Sequence, residues 1–400
     1  MATNTKGRFL VNVLPLVGGQ ALFQTAGILV TTLAGLVGFN LAPDKSLATL
    51  PLAVISVGTA VTLIPAAAFM KRYGRKKGFT LGIAFGFLAG ALTSLGIYYS
   101  DFWVFVSGNV LIGAYQGFSQ YYRFAAAESV EEQDRSKAIS WVVAGGIFAA
   151  LAGPSIARLT KDLGEIPFLY SFLSLMALSI LALAVTSLIR HDSRQVALVG
   201  APGPAKPFSE ILKKPAFIAA IVSSSVGFAV MVMVMTATPI AMKICGYDAD
   251  DSSIVIQWHV LGMFVPSFFT GNLIQRFGAI KVISGGILMF LLHISLALSG
   301  TDFLHFTSGL IFLGIGWNFM FIGGSTILTQ SYTNGDQAKS QAFHDFLVYA
   351  VNTLSSFVAG AALASWGWNV VNLIAVPLLA VAFITIQWYS ISQRKSGVVS

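Results

Sequence analysis

Between Tyr115 and Phe124 an otherwise apolar stretch reads Tyr115-Gln116-Gly117-Phe118-Ser119-Gln120-Tyr121-Tyr122-Arg123-Phe124. Gln116, Gln120 and Arg123 stand at i, i+4 and i+7, which puts them on one helix face with Tyr115 and Tyr122 beside it. Two amides, a guanidinium and several aromatic rings suit a flat, heteroatom-rich ligand held by stacking and hydrogen bonds. The bland alternative is interhelical glue plus an interfacial aromatic belt; it fits Tyr121, Tyr122 and Arg123 better than the mid-span Gln116. Gln20 and Gln24, one turn apart, add two more amides near the N-terminus. The second half offers Trp317-Asn318 and Asn352.

A second constellation is softer. Met231 and Met235 are one turn apart, and so are His259 and Met263. Thioethers with an imidazole suit Cu(I), although the run Met231-Val232-Met233-Val234-Met235 also reads as adaptable packing. Cys245 is the only cysteine, which excludes an internal disulfide and any cysteine-based cluster. No carboxylate falls at mid-span, so neither a proton-coupling acid nor a nucleophile–base pair is visible, and an enzyme is not expected. Arg123, Glu128, His344 and Asp345 sit near span ends, where gating salt bridges are as plausible as substrate contacts.

The elements that must position these groups are membrane spans. The chain is 56% hydrophobic and only 10% charged, against roughly 25% charged in soluble domains. Its mean hydropathy is +0.77. Twelve apolar spans can be counted, about 10–36, 46–70, 79–99, 102–126, 138–157, 168–189, 216–242, 253–275, 282–299, 304–331, 342–364 and 370–393. The loop Lys71-Arg72-Tyr73-Gly74-Arg75-Lys76-Lys77 packs five cations between two of them and belongs on the cytoplasmic side. Placing it there puts both termini inside, together with 19 of the 24 Lys and Arg residues. The net charge of +8 therefore reads as orientation in a bilayer, not as nucleic-acid binding.

The chain also repeats itself. Arg72-Tyr73-Gly74 recurs 204 residues later as Arg276-Phe277-Gly278, and Asp134-Arg135-Ser136-Lys137 recurs 202 residues later as Asp336-Gln337-Ala338-Lys339. Two matches at nearly one offset argue for duplicated halves. The expected organisation is an all-α membrane protein with six helices in residues 1–190, a cytoplasmic linker at 191–214 and six helices in 215–400.

This plan resembles the major facilitator superfamily over nearly the whole chain. The family's signature between its second and third helices is Gly-x-x-x-Asp-Arg-x-Gly-Arg-Arg/Lys. Arg72, Gly74, Arg75 and Lys76 match it, whereas Lys71 replaces the Asp and Ala67 the first Gly. The resemblance implies a gating role for Lys71, Arg72, Gly74, Arg75, Lys76, Glu128 and Arg276, with no Asp-based latch between the halves. Met-x-x-x-Met followed by His-x-x-x-Met is similar to the CcoA-like and RfnT-like branch, bacterial importers of copper or riboflavin. On the copper side the ligands would be Met231, Met235, His259 and Met263, but Ser223 and Gly227 stand where that group has cysteines. On the riboflavin side Gln20, Gln24, Tyr115, Gln116, Gln120, Arg123, Trp317 and Asn318 would line a central cavity used by alternating access. The resemblance leans to riboflavin. It implies a multi-pass, monomeric protein of the bacterial inner membrane, without a cofactor.

Overall fold

The computed structural model describes residues 2–44, 47, 50–189, 208–333 and 335–395. They form helices α1 (Ala2–Leu41), α2 (Leu50–Tyr73), α3 (Arg75–Tyr98), α4 (Phe102–Ser119), α5 (Tyr122–Glu128), α6 (Arg135–Ala144), α7 (Gly146–Thr160) and α8 (Leu169–Ser187). The second half supplies α9 (Phe208–Leu212), α10 (Pro215–Ile244), α11 (Ala249–Phe264), α12 (Ser267–Phe277), α13 (Ala279–Ser299), α14 (Phe303–Ser331) and α15 (Gln337–Lys395). No strand occurs among the described residues. The expected linker at 191–214 lies outside them as far as residue 207.

Ten helical stretches are long and apolar enough to cross a bilayer. The last of these runs from Gln337 to Arg394 and is non-helical at Gly367, where φ is 78°, so it supplies two crossings. α4 has the length, but its Asn, Gln and Ser side chains lower its hydropathy; continued by α5, it completes the twelve expected. Helices are the natural solution, because they satisfy every backbone group within the segment. Val57, Val61 and Ile64 of α2 are exposed at helical spacing and mark a lipid-facing stripe.

Two compact units result: Met1–Val130 with Gly145–Pro202, and Glu131–Ala144 with Gly203–Ser400. Residues 131–144 group with the second unit. There α6 packs on α12 at Gly271, where an added Cβ would stand 2.6 Å from the Lys137 Cα. Ser136 donates to Gly271 O (3.2 Å), and Gln275 donates to Gln133 O (2.6 Å).

Small residues set the helix spacing in the first unit. A Cβ on Gly113 of α4 would collide with Ile55 O of α2, so the two backbones touch. The turns that start α3 and α13 are alike: Gly74 has φ 93° and ψ 161°, Gly278 φ 83° and ψ 153°. That region is essentially closed to side chains, which explains why the repeated tripeptide ends in glycine.

Candidate functional site

α4 and α5 are not one continuous helix. The chain tightens at Gln120 and Tyr121, where Tyr121 N bonds Phe118 O (3.3 Å), and the expected single face divides. Gln116 turns toward α2 and α1. Its Oε1 accepts from Thr59 Oγ1 (3.1 Å), and its Nε2 lies 3.5 Å from where a Cβ on Gly27 would stand. Gln120 and Arg123 pair locally: the guanidinium donates to Gln120 O (3.1 Å) and Oε1 (3.3 Å) and lies 4.3 Å over the Phe124 ring. Tyr121 is buried and donates to Leu63 O (2.7 Å), while Tyr122 stacks on Phe79 at 4.0 Å.

Within the first unit a narrow crevice lies among α1, α3, α4 and α8. Phe23, Gly27, Tyr115, Gln116 and Ser179 line it, with room for about one water. Tyr115 meets Phe23 edge-on at 5.3 Å. Gln20 is buried on α1, and Gln24 half-buried with its Oε1 buried and without a hydrogen-bond partner. A buried acceptor left unpaired costs about 1–3 kcal/mol, and Gln24 shares that condition with Asn109 Oδ1 in this unit.

In the second unit Trp317 stacks on Phe321 (5.1 Å) and meets Phe228 (5.3 Å) and Phe264 (6.0 Å) edge-on. Its Nε1 is buried without a partner. Sequence spacing marks Phe321 as the i+4 neighbour of Trp317, but Phe228 and Phe264 arrive from other helices and gave no signal. Asn318 is fully engaged. It accepts from Thr270 Oγ1 (2.7 Å) and donates to Ser267 Oγ (2.6 Å) and Met263 O (2.6 Å). Pro266 lacks the N–H that would continue α11, and Asn318 braces the resulting break.

The soft residues are separately employed. Met231 is buried and Met235 half-buried on α10. His259 is fully buried on α11, with Nδ1 2.9 Å from Leu310 O and Nε2 without a partner. Met263 is also buried. Among the described residues no group of three or more His, Cys, Asp or Glu is placed to hold a metal. A Cβ on Gly227 would lie 3.1 Å from the Met320 Cβ, so a cysteine there would have to displace its neighbour.

The basic motif supplies a buried ion pair. Arg75 donates to Glu128 through Nη2 (2.6 Å) and Nε (3.1 Å), lies against Met70 Sδ and caps the Tyr121 ring at 5.2 Å. Both partners are largely buried, so losing either strands a charge. Lys76 donates to Ser187 O (2.7 Å) and Ile189 O (3.0 Å), closing the end of α8. Lys71 and Arg72 are exposed, as is Arg276; Arg72 lies over Tyr73, and Arg276 over Phe277, each at 5.2 Å.

Twelve apolar crossings with polar groups held at depth define a multi-pass membrane protein. The chain belongs to the Major Facilitator Superfamily, which it matches over residues 16–258 and 233–398. It is 38% identical over 374 residues to the riboflavin transporter RfnT of Brucella anthropi, covering 93% of this chain and 94% of that protein. It is 26% identical to the uncharacterized MFS-type transporter YdeG of Bacillus subtilis, over 95% of this chain and 91% of that one. Among solved structures, the Escherichia coli fucose:proton symporter FucP aligns over 95% of this chain and 99% of its own with a TM-score of 0.74, at 16% identity. The human organic anion transporter MFSD10 aligns over 94% and 99% with a TM-score of 0.75, at 12% identity.

Proposed function

We propose that this chain imports riboflavin across the bacterial inner membrane by alternating access, as a monomer with both termini in the cytoplasm. The observation that carries this reading is the 38% identity, along nearly the whole of both chains, to a protein named as a riboflavin transporter. The orientation rests on the lopsided distribution of Lys and Arg.

The chemistry is compatible. Isoalloxazine offers an aromatic face for stacking and an edge of carbonyl and N–H groups that amides can pair with. Gln20 and Gln24 on α1, and Gln116 beside Tyr115 on α4, are such amides. In the second unit the Trp317 indole N–H is an unspent donor set among aromatic rings. Asn318, bound on three sides, contributes by holding the α11–α12 break and not by touching substrate. Arg75 and Glu128 serve gating, as a pair fixing α3 to α5.

A copper path is the second reading, on one observation: the Nε2 of His259 is a buried lone pair with no partner, one turn from Met263. The absence of thiols and the crowding at Gly227 weigh against it. Uptake of labelled riboflavin and of copper, measured side by side in cells lacking their own routes for each, tests the two together. Riboflavin uptake above the empty-vector control is expected; its absence with copper uptake present would reverse the assignment.

A further inference from the structure

A second buried histidine lies outside everything used so far. His293 of α13 is fully buried, and both of its ring nitrogens face acceptors: Nδ1 is 2.9 Å from Gly309 O of α14, and Nε2 is 2.9 Å from Asn372 Oδ1 of α15. A neutral imidazole carries one N–H and one lone pair, so it satisfies only one of these contacts and turns its lone pair on an oxygen at the other. Rotating the Asn372 amide does not cure this. Its Nδ2 donates to Trp368 O at 2.9 Å, and the turned oxygen would then face that carbonyl. The site is built closely: a Cβ on Gly309 would stand 3.2 Å from His293 Nδ1, and Trp368 Nε1 is tied to Ala297 O at 3.2 Å.

We infer that His293 is a proton-binding site: its Nε2 lone pair takes a proton from water, the imidazolium donates to Gly309 O and Asn372 Oδ1 together, and the proton is released again during each transport cycle. The bond formed is N–H, the proton comes from hydronium, and it returns to water; nothing is oxidised or reduced. A charge in an apolar interior is costly, so the proton is held in one state of the cycle and shed in another, as coupling requires. The surrounding charges are few. On α11, His259 is a second fully buried histidine of the same unit. On α14, His305 lies near the helix start and 3.6 Å from Asp302. Arg276 of α12 and Lys281 of α13 sit at the far end of α13, and α15 has no acidic or basic side chain between Phe346 and Gln393.

Proton binding stands by itself; its transport role rests on the riboflavin reading. The test uses the full chain in liposomes with labelled riboflavin. Counterflow exchange should proceed in wild type and in His293→Asn alike. An inwardly directed gradient of about one pH unit should drive up to about tenfold accumulation in wild type for one proton per substrate, and none in His293→Asn. Equal accumulation by the variant, or exchange without gradient-driven accumulation in wild type, would overturn the coupling role. If wild type does not exchange riboflavin, the substrate assignment fails, and 15N-imidazole NMR then decides the proton site. The signal assigned to His293 should become doubly protonated as pH falls, and should need a lower pH in Asn372→Leu, which also serves if His293→Asn does not fold. A ring that stays neutral as far as the protein remains folded, or titrates identically in Asn372→Leu, would overturn the proposal.

Discussion

The two Arg-aromatic-Gly turns share a backbone and differ in chemistry. Gly74 and Gly278 adopt nearly the same positive-φ conformation, and in each turn an arginine lies 5.2 Å over the next ring. After Gly74 comes Arg75, which reaches Glu128 on α5. After Gly278 comes Ala279, and the second turn has no equivalent ion pair to offer from that position. Its neighbourhood is held instead by the neutral Gln275, which bonds the main chain at Gln133 and the side chain of Asp134 (3.2 Å). Duplication has preserved the turn, while the charged clamp belongs to one copy. Conformation at these turns is thus a property of the repeat, and ion pairing a property of the individual unit.

Three sets of substitutions sharpen that contrast. The largest effect is expected at Arg75→Ala, which leaves a largely buried Glu128 without its partner and should cost about 3–5 kcal/mol. Arg75→Met with Glu128→Leu removes both charges and should recover much of that loss; thermal unfolding in detergent reads both. Next come Gly74→Ala and Gly278→Ala, each forcing a side chain into a glycine region at about 1–3 kcal/mol. At Gly278, which is exposed with nothing within 4 Å of an added Cβ, the cost should be conformational alone. Gly74 is buried, so Gly74→Ala should cost at least as much, and a smaller cost there would mean that the shared positive-φ conformation does not set the penalty. The smallest effect belongs to Arg276→Ala, which loses an exposed cation–π contact of about 0.5–1 kcal/mol. If it destabilised as much as Arg75→Ala, the clamp would not be confined to one unit.

Much of the fold is legible in the sequence because a bilayer imposes a simple rule: apolar runs of helical length, with cations between them. The repeated tripeptide is legible for a related reason, since its glycine answers a backbone demand. The polar residues read less well. Gln116, Gln120 and Arg123 obey one periodicity, yet a local tightening at Gln120 and Tyr121 sends them to different partners. Asn318 looks like a substrate contact by type and depth, but Met263 O, Ser267 and Thr270, on either side of Pro266, take its hydrogen bonds. His293 and Asn372 are 79 residues apart and meet only through packing. Residue type reveals that a polar group must be satisfied, and tertiary packing decides by whom.

The central claim, riboflavin import through an amide-lined surface of the first unit, is tested most directly by Gln20/Gln24/Gln116→Leu. Thr59 also bonds Ile55 O (2.8 Å), so losing Gln116 does not orphan it, and Leu is well tolerated in lipid. The variant should reach the membrane at wild-type abundance. Unpaired groups on a bound flavin cost about 1–3 kcal/mol each, so riboflavin uptake per molecule at limiting vitamin should fall by at least about 5- to 150-fold. Copper uptake, measured in parallel, should not respond. Riboflavin uptake equal to wild type in the triple variant would contradict the account.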